Sequence, residues 1–234
     1  MNILMIDTSG PACGVAIVKA GKPCYEAELN IGMTHSQRLM PMVDAALSMT
    51  GMQMEDIDLF GAVIGPGSFT GVRIGVSTVK ALSHAQGKPC IGVDALEALA
   101  LNVPEFDGVV CPILDARAQQ VYGAMFEPGM PPMRLCEDAA EKLTAFLDRV
   151  EAAGKRAIFV GDGVTVSEKA IRERLGDKAA FAPVQHCGLR ALNAAMLANA
   201  YAENAQDYIT LLPLYLRAPQ AERERAAREA AKNG

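Results

Sequence analysis

Apolar runs of strand length alternate along this chain with longer stretches of helical periodicity. Two of the runs form the same pattern, a strand, a tight polar turn and a second strand, at 3–18 and again at 109–126. Each pattern predicts a β-hairpin, and Asp7 and Asp115 stand at matching places, at the end of each first strand. This repeated pattern predicts an internal duplication, with two related α/β lobes that share a cleft.

Between and after the hairpins, the periodicity predicts helices joined by buried strands. The expected helices are 36–52, 68–86, 94–102, 140–154, 164–175 and 189–203, and the expected strands include 59–64 and 157–160. Alternation of this kind favours a mixed sheet. We therefore expect an N-terminal lobe over 1–106 and a smaller second lobe over 107–187. We also expect a C-terminal helical segment at about 188–217 that packs back on the first lobe, and a charged, frayed tail over 218–234.

Composition narrows the class of protein. Half of the 234 residues are hydrophobic, which is enough for a sizeable core. A net charge of −5 argues against a large basic face for a nucleic-acid backbone. No apolar run is long enough to span a bilayer, the chain opens without a signal-like leader, and its six cysteines are scattered. We therefore expect a cytoplasmic protein that does not enter membranes and does not by itself bind nucleic acid.

Two of the predicted helices, 36–52 and 68–86, are apolar over more of their circumference than one core-facing side requires. If their surplus faces are exposed, they form a patch for a protein partner or a second copy; full burial inside the monomer is the alternative. Gly71 and Gly75 lie four apart, so that another backbone can approach this face closely. The predicted partner-binding residues are Leu39, Met42, Val43, Ala46, Leu47, Gly71, Val72, Gly75, Val76 and Val79.

Candidate chemistry is sparse. The segment Asp7-Thr8-Ser9 could hold a phosphate or its magnesium, or it could be a turn whose polar side chains satisfy the backbone. Gly161 and Gly163 could let an adenosine approach the start of a helix, or they could form a plain turn. Together with Asp115 these residues make up a candidate remnant of a nucleotide site. The three histidines are too isolated in sequence to compose a catalytic triad or a metal site.

Five motifs spread over most of the chain make it resemble the TsaB family, also called YeaZ. They are Ile6-Asp7-Thr8-Ser9, Thr34-His35-Ser36-x-x-Leu39-x-Pro41, Gly65-Pro66-Gly67-Ser68-Phe69-Thr70-Gly71-x-Arg73-Ile74-Gly75, Ile113-x-Asp115-Ala116-Arg117 and Pro213-x-Tyr215-Leu216-Arg217-x-x-x-Ala221-Glu222. The third motif is long and specific. The resemblance implies a two-lobed actin-like ATPase fold, shared with sugar kinases and heat-shock chaperone ATPases, with a reduced second lobe.

The resemblance also implies a role. Proteins of this family are partners required for threonylcarbamoyladenosine formation in tRNA, at the adenosine next to the anticodon. They bind and activate the transferase TsaD, a small ATPase called TsaE joins them, and in isolation they form homodimers. On this resemblance the chain itself has no catalytic residues and no cofactor of its own. ATP is used by TsaE, metal is held only by TsaD, and tRNA is reached only through the complex.

Two departures from catalytic relatives favour this role. Ala95 and Leu99 stand where the resemblance places the two metal-binding histidines of TsaD, and neither side chain can coordinate a metal. The second hairpin has no glycine-rich phosphate loop after Asp115. The alternatives are a nucleotide-dependent phosphotransferase that uses Asp7 and Asp115, and a metallopeptidase, which Ala95 and Leu99 would leave without ligands.

Overall fold

The structure, a computed structural model, describes residues 1–32 and 34–217. Met33 and the predicted tail over 218–234 lie outside the described residues. The strands are β1 (Ile3–Asp7), β2 (Cys13–Lys19), β3 (Lys22–Leu29), β4 (Leu59–Gly65), β5 (Cys90–Asp94), β6 (Val109–Asp115), β7 (Gln120–Gly123), β8 (Phe126–Glu127), β9 (Met133–Arg134), β10 (Ala139–Lys142), β11 (Ala157–Val160) and β12 (Ala179–Phe181). The α-helices are α1 (His35–Thr50), α2 (Phe69–Gln86), α3 (Ala95–Ala100), α4 (Leu143–Ala152), α5 (Gly163–Leu175) and α6 (Ala191–Ala200).

The two lobes repeat one sheet topology. The first sheet has the strand order β3-β2-β1-β4-β5, in which β1, β2 and β3 are antiparallel and β4 and β5 run parallel to β1. The path through the second sheet is β10-β7-β6-β11-β12, with antiparallel hairpin strands and parallel β11 and β12. The short β8 and β9 lie off this path. The predicted duplication is therefore confirmed at the level of topology.

Helices cover both faces of the first sheet. On one face, α1 and α2 pack on alternate side chains of the central strands, among them Leu4, Ile6 and Phe60. The intervening residues, such as Ile3 and Met5, face α3 and α6 on the other side. This alternation follows from the pleat of a strand, which sends successive side chains to opposite faces. Because α6 lies against β1 and β2, this helix belongs structurally to the first lobe.

A shared apolar cluster joins the two lobes. In the second lobe, α4 and α5 cover one face of the sheet. The other face meets α3, whose Leu96 and Leu99 pack with Val110, Phe126 and Val160. Leu99 is fully buried there. The contact explains why five of the six residues of this short helix are apolar, since it lies between two sheets.

Most predicted elements are present within one to three residues of their expected ends. The helix expected over 94–102 is shorter, and Asp94 caps it by accepting a hydrogen bond from the Glu97 amide at 2.8 Å. The segment expected to be one helix over 140–154 begins instead as the strand β10, because Ala139–Lys142 pairs with β7. In the described part of the chain, every helix is too short or too polar to cross a membrane.

Candidate functional site

The chain contains a cleft of about 800 Å³ between its lobes, into which the ends of β1 and β6 point. Asp7 and Ser9 line it from the first lobe, and Asp115, Arg117 and Asp162 line it from the second. The first turn of α2 forms a further part of the wall. The structure thus brings the two matching aspartates to one cleft, as the duplication predicts.

The Asp7-Thr8-Ser9 segment is closed by its own hydrogen bonds. One carboxylate oxygen of Asp7 accepts from the Ser9 amide at 2.8 Å and from the Ser9 hydroxyl at 2.7 Å. The Thr8 hydroxyl donates to the Gly71 carbonyl at 2.7 Å. Both hydroxyls are therefore engaged within the protein, which favours the turn over the phosphate site.

Asp7 is the buried charged group of the cleft. Its side chain is only 3% exposed, and burial raises its pKa to about 6, against the lowering effect of the two bonds from Ser9. The nearby Glu28 carboxylate raises the pKa further. A carboxyl group with this pKa is partly protonated near neutral pH.

The two glycines of the 161–163 turn do not line the cleft. Gly161 has a φ of +112°, and a Cβ atom on it would lie 2.1 Å from the carbonyl oxygen of Ile113. A Cβ atom on Gly163 would lie 3.0 Å from the same oxygen. Both glycines therefore serve the close packing of α5 on β6, and neither is among the residues that line the cleft. Their role in admitting an adenosine stays a prediction.

The residue between these glycines does reach the cleft. Asp162 Oδ1 accepts a hydrogen bond from the Asp115 amide at 3.0 Å, which ties the start of α5 to the end of β6. Sequence reasoning missed Asp162, Arg117 and Glu28 as cleft residues. The duplication could have found Asp162, because it follows β11, the counterpart of β4.

Two glycines at the start of α2 pack against the chain's own backbone. Cβ atoms on Gly67 and Gly71 would lie 2.4 Å and 1.9 Å from the carbonyl oxygens of Ser9 and Thr8. The Ser68 amide also donates to the Ser9 carbonyl at 2.7 Å. The predicted close approach of another backbone is confirmed at Gly71, where that backbone is the loop after β1. At Gly75 the nearest atom is instead the side-chain oxygen of Thr8.

Nine of the ten predicted partner-binding residues are buried within the first lobe. The side chains of Leu39, Val43, Ala46, Leu47, Val72, Val76 and Val79 belong to the core under α1 and α2, and Gly71 and Gly75 are buried beside Thr8. Met42 alone is partly exposed. The interpretation of these residues as an outward patch is therefore corrected, because the sheet beneath them uses the whole apolar stripe.

The outward face of the same two helices carries other residues. Met40 and Met49 of α1 are exposed, Met49 by 80%. On α2 the exposed positions are mostly small, with Ser77, Ala81 and Ala85 at four-residue spacing. Small side chains at this spacing let a second helix approach closely.

Within the described residues, no group of three or more His, Cys, Asp and Glu side chains is arranged to hold a metal ion. His35 contacts the Gly10 carbonyl at 3.0 Å, and His84 packs on Tyr208. Ala95 and Leu99 are fully buried in apolar surroundings.

Comparison with known proteins relates the chain to a group of tRNA-modification proteins. Residues 31–225 match the family described as "TsaD: tRNA N6-adenosine threonylcarbamoyltransferase". The "tRNA threonylcarbamoyladenosine biosynthesis protein TsaB" of Bacillus subtilis is 32% identical over 95% of this chain and 96% of that protein. The protein of the same name from Escherichia coli is 38% identical, over 54% of this chain and 55% of that protein.

Solved structures agree with the relationship and with the fold. "YeaZ from Pseudomonas aeruginosa" superposes with a TM-score of 0.73 at 26% identity, covering 92% of this chain and 99% of that one. A second Pseudomonas aeruginosa structure, described as having similarity to peptidase YEAZ, gives 0.77 at 27% identity over the same shares. The two-lobed actin-like ATPase fold expected from the sequence is thereby confirmed. The chain belongs to the TsaB (YeaZ) family, whose curated members are named tRNA threonylcarbamoyladenosine biosynthesis proteins.

Proposed function

We propose that this chain is a non-catalytic partner required for threonylcarbamoyladenosine formation in tRNA, which binds and activates TsaD together with TsaE. The observation that carries the proposal is the match to a TsaB protein over nearly the full length of both chains. ATP is then used by TsaE, metal is held by TsaD, and tRNA meets this chain only in the assembled complex. The chain acts by association.

Residues at two places in the chain support a non-catalytic role. Ala95 and Leu99, where the resemblance sets the histidine pair of TsaD, are enclosed by apolar side chains and offer no metal ligand. In the cleft, the turn after Asp115 is built from Ala116, Arg117 and Ala118, without the glycine-rich backbone that cradles phosphates in many nucleotide-binding proteins.

The proposed contact surface for TsaD is the outward face of α1 and α2, which replaces the buried residues predicted from sequence. These helices have 16 and 18 residues, so each is roughly 24–27 Å long. Two adjacent helices of this length suit a standard interface of about 800 Å² per partner. Because one surface would serve both contacts, a homodimer of this chain would compete with TsaD binding.

The test is threonylcarbamoyl transfer to tRNA by TsaD, with this chain, TsaE, the acyl-adenylate and ATP each omitted in turn. We expect turnover to require this chain, and the chain alone to transfer nothing. Full activity of TsaD without it would overturn the proposal. Transfer by this chain alone would assign it the chemistry instead.

The contact surface is tested in the same assay with Ala81→Glu, which places a charge on the outward face of α2. Ala170→Glu is the matched control, because Ala170 is an exposed alanine in α5 of the second lobe. We expect the first variant to lower transfer and TsaD binding and the second to leave both unchanged. Equal activity of the two variants would show that α2 is not part of the interface. It would not contradict the proposal that TsaD requires this chain.

A further inference from the structure

The segment 206–217, which we call the C-terminal strap, runs from the first lobe to the second. It begins at the edge strand β5, where Gln206 and Cys90 exchange backbone hydrogen bonds of 2.8 and 2.9 Å. The ammonium group of Lys80 on α2 then donates to the carbonyls of Ile209 and Leu211 at 3.2 and 3.1 Å. The first half of the strap is therefore fixed to the first lobe.

The middle of the strap is anchored at the start of α2. The Leu214 amide donates to the Ile64 carbonyl at 2.8 Å, at the end of β4. The Tyr215 ring stacks on Phe69 with 4.7 Å between centroids, and Arg73 Nε donates to the Tyr215 hydroxyl at 2.8 Å. The Arg73 guanidinium also lies 5.5 Å from the centre of the Tyr215 ring.

The end of the strap reaches the second lobe. Arg217 Nη1 donates to the carbonyl oxygen of Ala116 at 2.8 Å, at the turn between β6 and β7. Ala116 and Arg117 line the cleft. One charge-assisted hydrogen bond thus connects an anchored segment of the first lobe to the cleft wall of the second.

The turn that Arg217 contacts is conformationally strained. Arg117, Ala118 and Gln119 have φ values of 65°, 53° and 58°, in the left-handed region that residues other than glycine rarely adopt. Such a conformation persists only where its surroundings hold it in place. Asp115 Oδ1, which accepts from the Arg117 amide at 2.8 Å, restrains the turn from one side. Arg217 restrains it from the other.

We propose that the C-terminal strap is an interlobe latch, in which Arg217 holds the strained β6–β7 turn and so fixes the second-lobe wall of the cleft against the first lobe. Loss of the Arg217 bond frees the turn to relax and the wall to move. Because Tyr215 anchors the strap two residues earlier, a change at the start of α2 is transmitted to the cleft wall. The inference does not depend on the proposed function.

The test is amide hydrogen exchange of the intact protein. The reporters are the amides of Ala116 and Gln120, which donate to Gln120 and Arg117 within the turn, both at 3.0 Å. In Arg217→Ala we expect both amides to exchange about tenfold faster, because a charge-assisted hydrogen bond that opposes local opening is lost. The amides of β11 in the same lobe should keep their rates. Arg217→Lys, which keeps a donor, should restore part of the protection.

A second pair of variants separates a latch from a purely local bond. Tyr215→Ala and Arg73→Ala leave Arg217 in place but weaken the anchor at the start of α2, and both should speed exchange at Ala116 and Gln120. Arg172→Ala, a surface arginine on α5 that pairs with Glu168, is the control and should change neither amide. Unchanged exchange in Arg217→Ala overturns the latch. Faster exchange in Arg217→Ala but in neither anchor variant overturns transmission through the strap.

Discussion

A Cβ atom on Gly71 would lie 1.9 Å from the carbonyl oxygen of Thr8. The obstacle is a backbone atom, and Thr8 is itself tied to Gly71 because its hydroxyl donates to the Gly71 carbonyl. The first turn of α2 and the loop after β1 therefore pack without space for a methyl group. This contact sets the first-lobe wall of the cleft, since Ser9 and Ser68 both line it.

Gly71→Ala should destabilise the protein, although alanine is the better helix former by about 1 kcal/mol. The added methyl group must displace backbone, and overpacking of this kind costs roughly 1–3 kcal/mol. The free energy of unfolding in urea measures the loss. Gly10→Ala is the control, because nothing lies within 4 Å of a Cβ atom at Gly10. A Gly71→Ala protein as stable as the control would show that the loop after β1 can yield.

The glycine pattern shows what the sequence could and could not predict. Spacing and turn chemistry are local, so the hairpins, α2 and the close backbone approach to Gly71 follow from the sequence. Which backbone makes that approach depends on the pairing of β1 with β4, which is a long-range contact. The apolar stripe of α1 and α2 has the same limit, since periodicity identifies a hydrophobic face without saying whether a sheet or a partner covers it.

The cleft was predictable for a different reason. The duplication placed Asp7 and Asp115 at equivalent strand ends, and equivalent ends of two facing sheets meet at one cleft. Glu28 and Arg117 could not be placed in this way, because their positions depend on the third strand of the sheet and on a left-handed turn without glycine. The sequence predicts a turn there, but no glycine signals its left-handed conformation.

Asp7→Asn should change the pH dependence of stability. The pKa of Asp7 is about 6 in the folded protein, above its ordinary value of 3.8, because the carboxyl is buried. The folded state therefore holds this proton more tightly than the unfolded state, and stability from Asp7 is gained as pH falls through 6 towards 4. The variant lacks this gain, which is about 3 kcal/mol for a shift of this size.

The measurement for Asp7 is the free energy of unfolding in urea at several pH values. As pH falls from 8 to 4, the free energy of unfolding of the wild-type protein should increase relative to that of Asp7→Asn. Asp148→Asn, at an exposed site on α4, serves as the control. Parallel curves for wild type and Asp7→Asn between pH 8 and 4 would show that the Asp7 pKa is not raised.

Val76→Glu and Ala81→Glu distinguish the buried and outward faces of α2. Val76 is 3% exposed within the core, so a glutamate there buries an unpaired charge and should cost more than about 4 kcal/mol. Ala81 is exposed, and its glutamate variant should keep the wild-type melting temperature while weakening self-association. Thermal melts and analytical ultracentrifugation measure the two effects. Self-association of Ala81→Glu equal to that of the wild type would place any dimer contact elsewhere.

The isolated chain should bind ATP weakly or not at all. Both hydroxyls of the Asp7-Thr8-Ser9 turn are used internally, and the carboxylates of Asp7, Asp115 and Asp162 face the same cleft. Triphosphate would meet this negative charge without a phosphate loop to offset it. Calorimetry with and without magnesium tests the expectation. Micromolar, magnesium-dependent binding would instead favour a nucleotide-dependent phosphotransferase.

Arg134→Met should destabilise the junction of the two lobes, and more strongly at high pH. Arg134 in β9 pairs with Asp138 and lies 3.4 Å from Asp94 and 3.9 Å from Glu97, beside α3. Burial raises the pKa of both Asp94 and Glu97, and Arg134 opposes that rise. Without the guanidinium, three carboxylates share a poorly hydrated site, at a cost of about 3 kcal/mol at pH 8. The folded-state pKa values of Asp94 and Glu97 then rise further, so stability should return as pH falls towards 5.

The control for Arg134→Met is Arg172→Met, because both arginines lie over a phenylalanine ring, Phe126 at 4.6 Å and Phe181 at 4.4 Å. Methionine keeps much of the packing on either ring, so the two variants differ mainly in the carboxylates left behind. Urea unfolding at pH 8 and pH 5 should show a penalty for Arg134→Met that shrinks at the lower pH. A penalty of equal size at both pH values would mean that Arg134 acts through its contact with Phe126, and that the carboxylates of α3 do not depend on its charge.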